Sequence, residues 1–525
     1  MFRKLLISLG LFLSTAAQAE WREARSNNFL VYSESGEQQL REFTAKLEKF
    51  HFILRAMHNI TRSPPPNRLH VYLLRNIDAV QRSLGGAAGV AGYSIFHARG
   101  PILVGTRQSG GQESYGLDPE PILLHEYAHH FMYGYFPATY PTWYSEGFAE
   151  FWGQTRIGEN NVVRIGAPAA TRFYSFVGNR WMPIDRILAA RNYGDARGDV
   201  DLIYAEGWLL NRYLFTNGAR RGQLTRYLTL INQGRSYEQA MQEAFGADTA
   251  ALDTELRHFA EQTQFPVLDV PFRPIDVGPI AIRTLRPAEA ALIDQEIRLG
   301  QEIPAREAAE FARTVSGIAA HYPDDPHALE ILVEAQRLAG NAAAATEAVD
   351  HLLRIEPDNA RGLMHKGLLR AEALAAARST DDAAWNDARQ LLLRANQLAP
   401  HDPLILEAYY ESFVDQGVLP PAGAQNALFR ALQIAPGDEE LRYRVAADFE
   451  HRDMIPEAIA VIRPTALALR EVGDEGERAR RRREQEEERN RPAGQARHES
   501  AREMLTRLEA RQAGHPAPAP ASAAH

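Results

Sequence analysis

The chain has 525 residues, with 58 Lys and Arg against 67 Asp and Glu, so its formal net charge is −9. This length exceeds what one compact hydrophobic core supports, and we expect at least two domains. The weakly acidic balance argues against a nucleic-acid-binding protein, whose contact surface is usually strongly basic. The sequence contains no cysteine, which excludes disulfides, thiolate zinc sites and a cysteine nucleophile. Any bound metal must therefore be held by histidine and carboxylate side chains.

Residues 1–19 have the three regions of a secretory signal peptide. Arg3 and Lys4 supply positive charge, residues 5–13 form an apolar run, and a small-x-small cleavage site ends at Ala19. The apolar run is too short to span a bilayer as a stable helix, and we expect no membrane span later in the chain. A buried N-terminal helix is the alternative. We expect cleavage after Ala19 and export of the chain to the periplasm or the exterior.

Residues 20–265 mix strand and helix patterns, which predicts an α+β domain. Strand-like runs occur at Asn28–Ser33, Arg68–Leu74 and Tyr93–Thr106, the last with a turn at Gly100-Pro101. Helical patterns occur at Gln38–Met57, Pro121–Met132, Trp143–Gln154 and Leu202–Thr216. Residues 266–302 are rich in proline, and we predict a linker or joining segment there.

Residues 303–470 are rich in Ala and Leu and repeat along the chain, which predicts an all-α domain. The prolines that end successive units are Pro323, Pro357, Pro400 and Pro436, at spacings of 34, 43 and 36 residues. The small residues that would let paired helices approach are Ala345, Ala388, Ala424 and Ala458. This region resembles tetratricopeptide (TPR) repeats, whose period is 34 residues, most closely in Pro326–Asn359 with Gly340 at the turn. A generic helical bundle is the alternative. The resemblance implies a concave surface for a protein or peptide partner.

The C-terminal residues 471–525 have a different composition. Arg480–Arg483 stand beside Glu484–Glu488, so opposite charges lie three or four positions apart and predict a solvated helix. The last residues, from His515 to His525, are rich in Pro and Ala, and we expect them to be disordered. We assign no function to either part.

The motif that carries chemistry is His125-Glu126-x-x-His129. Residues four apart on a helix share one face, so both imidazoles can bind one zinc ion. Glu126, rotated by one residue, flanks the metal and is suited to act as a general base for a water molecule. His130 points away from that face, and we expect it to pack or to form hydrogen bonds.

The downstream segment 141–151 reads PTWYSEGFAEF, and together the two motifs resemble the gluzincin metallopeptidases. The resemblance implies a zincin-like catalytic fold with Zn²⁺ as cofactor. It also implies that Glu146 is the third metal ligand and that Glu150 orients a metal-bound histidine. An exchange of roles, with Glu150 as the ligand and Glu146 behind it, stays open. The metzincin class is rejected, because Met132 and Tyr135 stand where its glycine and third histidine belong.

A hydrolytic zinc site also needs a hydrogen-bond donor for the oxyanion of the tetrahedral intermediate. Tyr204 resembles the tyrosine that supplies this donor in several gluzincins, whereas Glu206 and Tyr144 are weaker candidates. A structural role for Tyr204 is the competing interpretation, because most tyrosines serve as packing residues. Residues 92–105, the extended stretch before the helix that carries the His-Glu-x-x-His motif, are interpreted as the edge strand of the sheet and its neighbour. The edge strand would pair with a substrate backbone.

The resulting hypothesis is an exported zinc metallopeptidase that acts on peptide or protein substrates. The absence of a Gly-x-Met-Glu-Asn segment, the aminopeptidase signature, favours an endopeptidase. One alternative is a non-catalytic binding scaffold with an idle peptidase fold and TPR-like repeats. Another is a zinc hydrolase acting on non-peptide amides such as those of cell-wall cross-bridges.

Overall fold

A computed structural model gives the fold of the chain. It describes residues 20–86, 90–107, 119–158, 160–167, 180–190, 199–220, 222–246, 249–261, 267–301, 303–467 and 499–514. The predicted signal peptide lies outside these residues, as do the charged run 480–488 and the Pro/Ala-rich end of the chain.

A six-stranded mixed sheet forms the centre of the N-terminal part. Its strands are β1 (Arg22–Arg25), β2 (Phe29–Ser33), β3 (Leu69–Leu74), β4 (Gly92–Ile95), β5 (Ile102–Thr106) and β9 (Ala281–Thr284). The order across the sheet is β4-β5-β3-β2-β1-β9. The β2–β3 and β3–β5 pairs are parallel, and the other pairs are antiparallel. Among the described residues, the edge strand β4 is therefore paired on one side only.

The helices of the N-terminal part account for each helical pattern seen in the sequence. They are α1 (Glu37–Met57), α2 (Ile77–Ser83), α3 (Pro119–Tyr135), α4 (Thr142–Gly153), α5 (Ile184–Ala189), α6 (Val200–Thr216), α7 (Gln223–Asn232), α8 (Tyr237–Phe245) and α9 (Ala250–Ala260). Helix α1 makes the crossover between the parallel strands β2 and β3, a connection that antiparallel strands do not need.

Alternate residues of the central strands build two separate apolar layers. Val31, Val71 and Leu103 face a core that includes residues of α1, α3, α4 and α6. Tyr32 and Tyr72 face the opposite side of the sheet. This period-2 alternation directs one face of each strand to α3. The sheet thus provides a rigid support for the helix that carries the His-Glu-x-x-His motif.

The predicted joining segment 266–302 is built into both sheets of the N-terminal part. A second, three-stranded sheet has the order β6-β7-β8, from β6 (Arg156–Ile157), β7 (Val162–Ile165) and β8 (Leu268–Pro271). Strand β9 pairs with β1, and the next helix, α10 (Pro287–Leu299), buries Ile293 and Ile297 under the second face of the large sheet. Residues beyond 265 therefore complete the sheet-containing part rather than only spanning a gap.

A single helix and then four helix pairs follow the joining segment. They are α11 (Ala305–Ala319), α12 (Pro326–Leu338), α13 (Ala342–Ile355), α14 (Ala360–Ala376), α15 (Asp382–Leu398), α16 (Pro403–Val414), α17 (Ala422–Ile434), α18 (Glu439–His451) and α19 (Ile455–Leu467). The pairs α12–α13, α14–α15, α16–α17 and α18–α19 are the TPR-like repeats of this chain. In each pair the first helix also contacts the first helix or the last helix of a neighbouring pair.

The small residues predicted between the paired helices are fully buried. They are Ala345, Ala388, Ala424 and Ala458, each with an exposed fraction of 0%. The turn of the first repeat contains Gly340 with a φ of +72°, a left-handed conformation that glycine adopts without strain. Both observations confirm the prediction of TPR-like helical repeats.

One further helix, α20 (Ala501–Gln512), lies within the segment predicted to be a charged helix and a disordered tail. Its buried residues Met504, Leu505 and Leu508 share an apolar cluster with Ile459 and Ile462 of α19. This part of the tail is therefore an amphipathic helix that packs on the last repeat. No helix among the described residues has the length and apolar character needed to cross a membrane.

Candidate metal centre

The two histidines of the motif lie one turn apart on α3. The Nε2 atoms of His125 and His129 are 3.2 Å from each other. This is the arrangement expected for residues four apart on a helix. Both side chains are mostly shielded, with exposed fractions of 15% and 13%.

Glu146 on α4 points its carboxylate at this pair. Its Oε2 atom lies 3.3 Å from His125 Nε2 and 3.5 Å from His129 Nε2. Three ligands of a tetrahedral zinc ion at about 2.0–2.1 Å lie about 3.3–3.4 Å from one another. The three donor atoms therefore have the spacing of one face of a zinc tetrahedron. Among the described residues, this is the group of three His, Asp or Glu side chains that could hold a metal ion.

Close helix contacts place these side chains together. A Cβ atom on Gly153 of α4 would lie 3.1 Å from the Cβ of His125, so α3 and α4 almost touch there. A Cβ on Gly147 would lie 2.2 Å from the carbonyl oxygen of Gly207 on α6. Glycine therefore allows α4 to approach α3 on one side and α6 on the other.

The histidines and the carboxylate of the cluster favour each other's charged forms. Burial opposes the positive charge on His125, but the hydrogen bond to Glu146 and the charges of Glu150 and Glu126 outweigh burial and raise its pKa to about 9. Burial favours the neutral acid at Glu146, but His129 and His125 outweigh burial and hold the pKa of Glu146 well below its usual range. The negative charge of this cluster is suited to a cation.

Each histidine has a polar neighbour at its second ring nitrogen. Glu150 Oε1 lies 3.6 Å from His125 Nδ1. Ser145 Oγ lies 3.2 Å from His129 Nδ1, and the same hydroxyl lies 3.0 Å from the Tyr133 hydroxyl. Such partners fix the orientation of a ligating imidazole.

The carboxylates of Glu146 and Glu150 therefore lie at different positions relative to the two histidines. Glu146 reaches both Nε2 atoms and Glu150 reaches the far side of His125, which favours Glu146 over Glu150 as the third ligand. Sequence reasoning missed Ser145 and Tyr133, because no spacing rule marks a hydroxyl that contacts a histidine from another helix. The position of Ser145 directly before Glu146 was the one available signal.

Glu126 lies beside the edge strand of the sheet. The hydroxyl of Ser94, on β4, donates a hydrogen bond to Glu126 Oε2 at 3.3 Å. A Cβ on Gly92 would lie 3.4 Å from Cγ of Glu126, so the strand and the helix are in close contact. Glu126 thus lies over one face of β4, the edge strand of the sheet, and an edge strand is where an extended peptide can be added.

Tyr204, the proposed oxyanion donor, is on α6 and stacks against His125. The two ring centroids are 6.4 Å apart with an interplanar angle of 28°. The side chain is half-buried. The structure therefore brings Tyr204 to the edge of the His125, His129 and Glu146 cluster.

The weaker candidates lie away from the three donor atoms. Tyr144 packs among Tyr140, Trp143 and Phe148. Glu206 is fully buried and accepts a hydrogen bond from the Met182 amide at 2.6 Å. Burial raises the pKa of Glu206 to about 8, against the effect of that hydrogen bond.

His130 faces away from the cluster, as expected. It stacks on Phe96 with a centroid distance of 5.3 Å and an interplanar angle of 9°. Burial lowers the pKa of His130 to about 4. This histidine is a packing residue that links α3 to the turn after β4.

No protein-family model and no curated protein matches the sequence. Solved structures similar to part of the chain include a thermophilic TPR protein of Thermus thermophilus, with 19% identity and a TM-score of 0.28, covering 34% of this chain and 90% of that one. MamA of Desulfovibrio magneticus has 16% identity and a TM-score of 0.25, covering 34% of this chain and 94% of that one. PilF of Pseudomonas aeruginosa has 15% identity and a TM-score of 0.27, covering 39% and 93%. With scores this low, the assignment of helical repeats rests on the helix pairs of the chain itself.

Proposed function

We propose that the protein is an exported zinc-dependent endopeptidase whose catalytic part contains the large sheet and whose TPR-like repeats follow it. The observation that carries the proposal is the spacing of three donor atoms, 3.2, 3.3 and 3.5 Å, among His125, His129 and Glu146. Two imidazoles and one carboxylate, with a neighbouring glutamate, are the ligand and base set of zinc hydrolases.

In this proposal His125, His129 and Glu146 hold the metal ion. When bound, zinc supplies Lewis acidity and lowers the pKa of a water molecule. Glu150 and Ser145 hold the rings of His125 and His129 in the orientation that directs both Nε2 atoms to the same point. This arrangement reduces the reorganisation that metal binding requires.

The chain's other residues orient the substrate and move the proton. An extended peptide pairs with the free side of β4, which brings its carbonyl group next to Glu126. Glu126 accepts the proton of the attacking water and delivers it to the leaving amine. Tyr204 donates a hydrogen bond to the oxygen that gains negative charge.

The experiment that tests this proposal compares the wild type with Glu126→Gln. We expect about one zinc ion per chain in both proteins, hydrolysis of a broad peptide library by the wild type, and loss of that hydrolysis in the variant. A matched control is Glu120→Gln, which also changes a glutamate on α3. Glu120 contacts Lys46 on α1 at 2.5 Å and lies outside the metal cluster, so this variant should keep both zinc and activity.

Two outcomes would contradict the proposal. The first is a wild-type chain that binds no zinc. The second is a Glu126→Gln variant that hydrolyses peptides at the wild-type rate.

The TPR-like repeats favour a second candidate function, a protein-binding scaffold with an idle peptidase fold. Stacked helical repeats form extended surfaces that bind peptides or proteins. The two candidates differ in one measurement. A wild-type chain with bound zinc and no hydrolysis across the peptide library would favour the scaffold.

Export is part of the main proposal and rests on the composition of residues 1–19. It predicts that the protein, produced with its own N-terminus in a secreting bacterium, is recovered outside the cytoplasm. N-terminal sequencing of that protein should begin at Glu20. A chain retained in the cytoplasm with Met1 intact would contradict this part of the proposal.

A further inference from the structure

The turn between β4 and β5 reaches into the helical repeats. This turn, residues 96–101, is called the hairpin tip below. The backbone amide of Ala98 donates a hydrogen bond to Asp438 Oδ2 at 2.6 Å. The guanidinium group of Arg99 forms an ion pair with Glu334. The tip and these partners are more than 200 residues apart in the sequence, so the contacts are tertiary.

The partners of the hairpin tip come from the first helices of four successive repeats. Glu334 belongs to α12 and Arg361 to α14, where its Nη2 donates to the carbonyl oxygen of Arg99 at 3.4 Å. Ala98 belongs to the same buried apolar cluster as Leu406 and Tyr410 of α16. Asp438 is the N-cap of α18. The surface formed by Glu334, Arg361, Leu406, Tyr410 and Asp438 is called the repeat inner face below.

The contacts are built into the fold of the repeats. Asp438 uses one carboxylate oxygen to cap α18, accepting from the Leu441 amide at 2.8 Å, and the other to accept from Ala98. Arg361 is fixed by Asp402, with 2.6 Å between Nε and Oδ2. Both groups therefore also have partners within the repeats that hold them in place.

The ion pair at the centre of this contact is shielded from water. The side chains of Arg99 and Glu334 have exposed fractions of 13% and 12%. Burial, together with the charge of Arg361, lowers the pKa of Arg99. Removing one partner of such a pair leaves the other charge buried without compensation, which is strongly destabilising.

The hairpin tip also contacts α3, the helix that carries His125 and His129. A Cβ on Gly437 would lie 2.4 Å from the ring of Phe96, and that ring stacks on His130 of α3. Ser94, two residues before Phe96, donates to Glu126. The tip thus connects the repeats to the edge strand and to the helix that carries the proposed base.

We propose that the repeat inner face is an intramolecular docking surface for the hairpin tip, and that Arg99 is a positioning residue that sets the edge strand β4 against Glu126. The docking part stands on the contacts above, whereas the effect on catalysis rests on the proposed peptidase function. A protein partner of the repeats would have to bind another surface or displace the tip.

The test measures hydrogen exchange of the backbone amides of β4 and the hairpin tip in Arg99→Ala. We expect exchange on the order of tenfold to a hundredfold faster than in the wild type, because a buried ion pair is lost, with zinc content unchanged. Lys366→Ala is the matched control. Lys366 forms an ion pair with Asp350, at 2.6 Å, that does not include the tip, so exchange at β4 should stay at the wild-type rate.

Two further variants keep the test decisive. Glu334→Gln preserves the shape of the side chain and provides the same measurement should Arg99→Ala fail to fold. The charge exchange Arg99→Glu with Glu334→Arg should restore the protection of β4, which a loss of general stability would not explain. Unchanged exchange at β4 in both single variants would overturn the docking surface.

Enzyme kinetics separate the two parts of the inference. If β4 pairs with the substrate, Arg99→Ala should raise KM on the order of tenfold and change kcat less, since the strand contributes to substrate binding. Altered exchange with an unchanged KM would overturn the positioning role while the docking surface stands. A wild type without hydrolysis would overturn the proposed function, and the exchange measurement would still decide the docking surface.

Discussion

The contact between α4 and α6 predicts the effect of Gly147→Ala. The new Cβ would lie 2.2 Å from the Gly207 carbonyl oxygen and 3.0 Å from the Trp208 amide nitrogen. Ordinary contact begins near 3.4 Å, so the two helices would have to separate by about 1.2 Å. Both neighbours are backbone atoms, which cannot move away by a change of rotamer. The substitution must therefore displace one helix relative to the other.

This displacement acts directly on the metal centre. Glu146 is the residue before Gly147, and Tyr204 lies one turn before Gly207. Overpacking of this kind costs about 1–3 kcal/mol of stability. A metal site tolerates about ±0.2 Å in its ligand distances, and a shift of about 1 Å at a catalytic group can cost about a hundredfold in rate. We therefore expect weaker zinc binding and a large loss of activity in a chain that still folds.

Zinc titration and thermal unfolding of Gly147→Ala test this prediction. Gly134→Ala is the control on α3, because a Cβ there meets nothing within 4 Å. It should retain zinc binding and gain about 0.5–1 kcal/mol, since alanine is the better helix residue. Wild-type zinc affinity and unfolding temperature in Gly147→Ala would refute the argument that the close helix approach sets the ligand geometry.

Three further predictions concern Glu150, Tyr204 and Glu206. Glu150→Gln should lower zinc affinity by about tenfold to a hundredfold, measured by competition with a chelator, because Glu150 contacts the far side of His125; equal affinity would exclude that role. Tyr204→Phe should keep zinc and KM but lower kcat by about a hundredfold in a steady-state assay; unchanged kcat would leave Tyr204 with a packing role. Glu206→Gln should flatten the dependence of stability on pH. The native pKa of Glu206, about 8, lies above its ordinary value of 4.5. Between these two pH values the folded chain therefore binds more protons than the unfolded chain. The wild type loses stability as pH rises through this range, by at most about 4–5 kcal/mol. Denaturant unfolding of the wild type and of Glu206→Gln across that pH range checks this prediction. Parallel curves of unfolding free energy against pH for the two proteins would contradict it.

Local sequence patterns predicted the elements that hold the site. Residues 121–132 were expected to be helical, and α3 contains them. The four-residue spacing of His125 and His129 was enough to place both imidazoles on one face, because helix geometry is local. The buried alanines at 345, 388, 424 and 458 were predictable for the same reason, since a repeat places one residue type at equivalent positions.

Contacts between distant segments could not be predicted from those patterns. Nothing in residues 96–101 indicates that they meet Glu334, which is 235 positions further along the chain. Strand β9 has exposed or half-exposed residues and lacks the apolar alternation that marks a strand. In α20, Met504, Leu505 and Leu508 are embedded among charged residues. Their packing depends on partner surfaces that only the folded chain provides.

The central claim is that His125, His129 and Glu146 hold one zinc ion. Crystals of the protein grown with zinc, with diffraction data collected on both sides of the zinc absorption edge, test it most directly. We expect one anomalous peak about 2.0–2.2 Å from His125 Nε2, His129 Nε2 and Glu146 Oε2, and no peak there in His129→Ala. A peak elsewhere in the wild type, or none at this position under saturating zinc, would contradict the account.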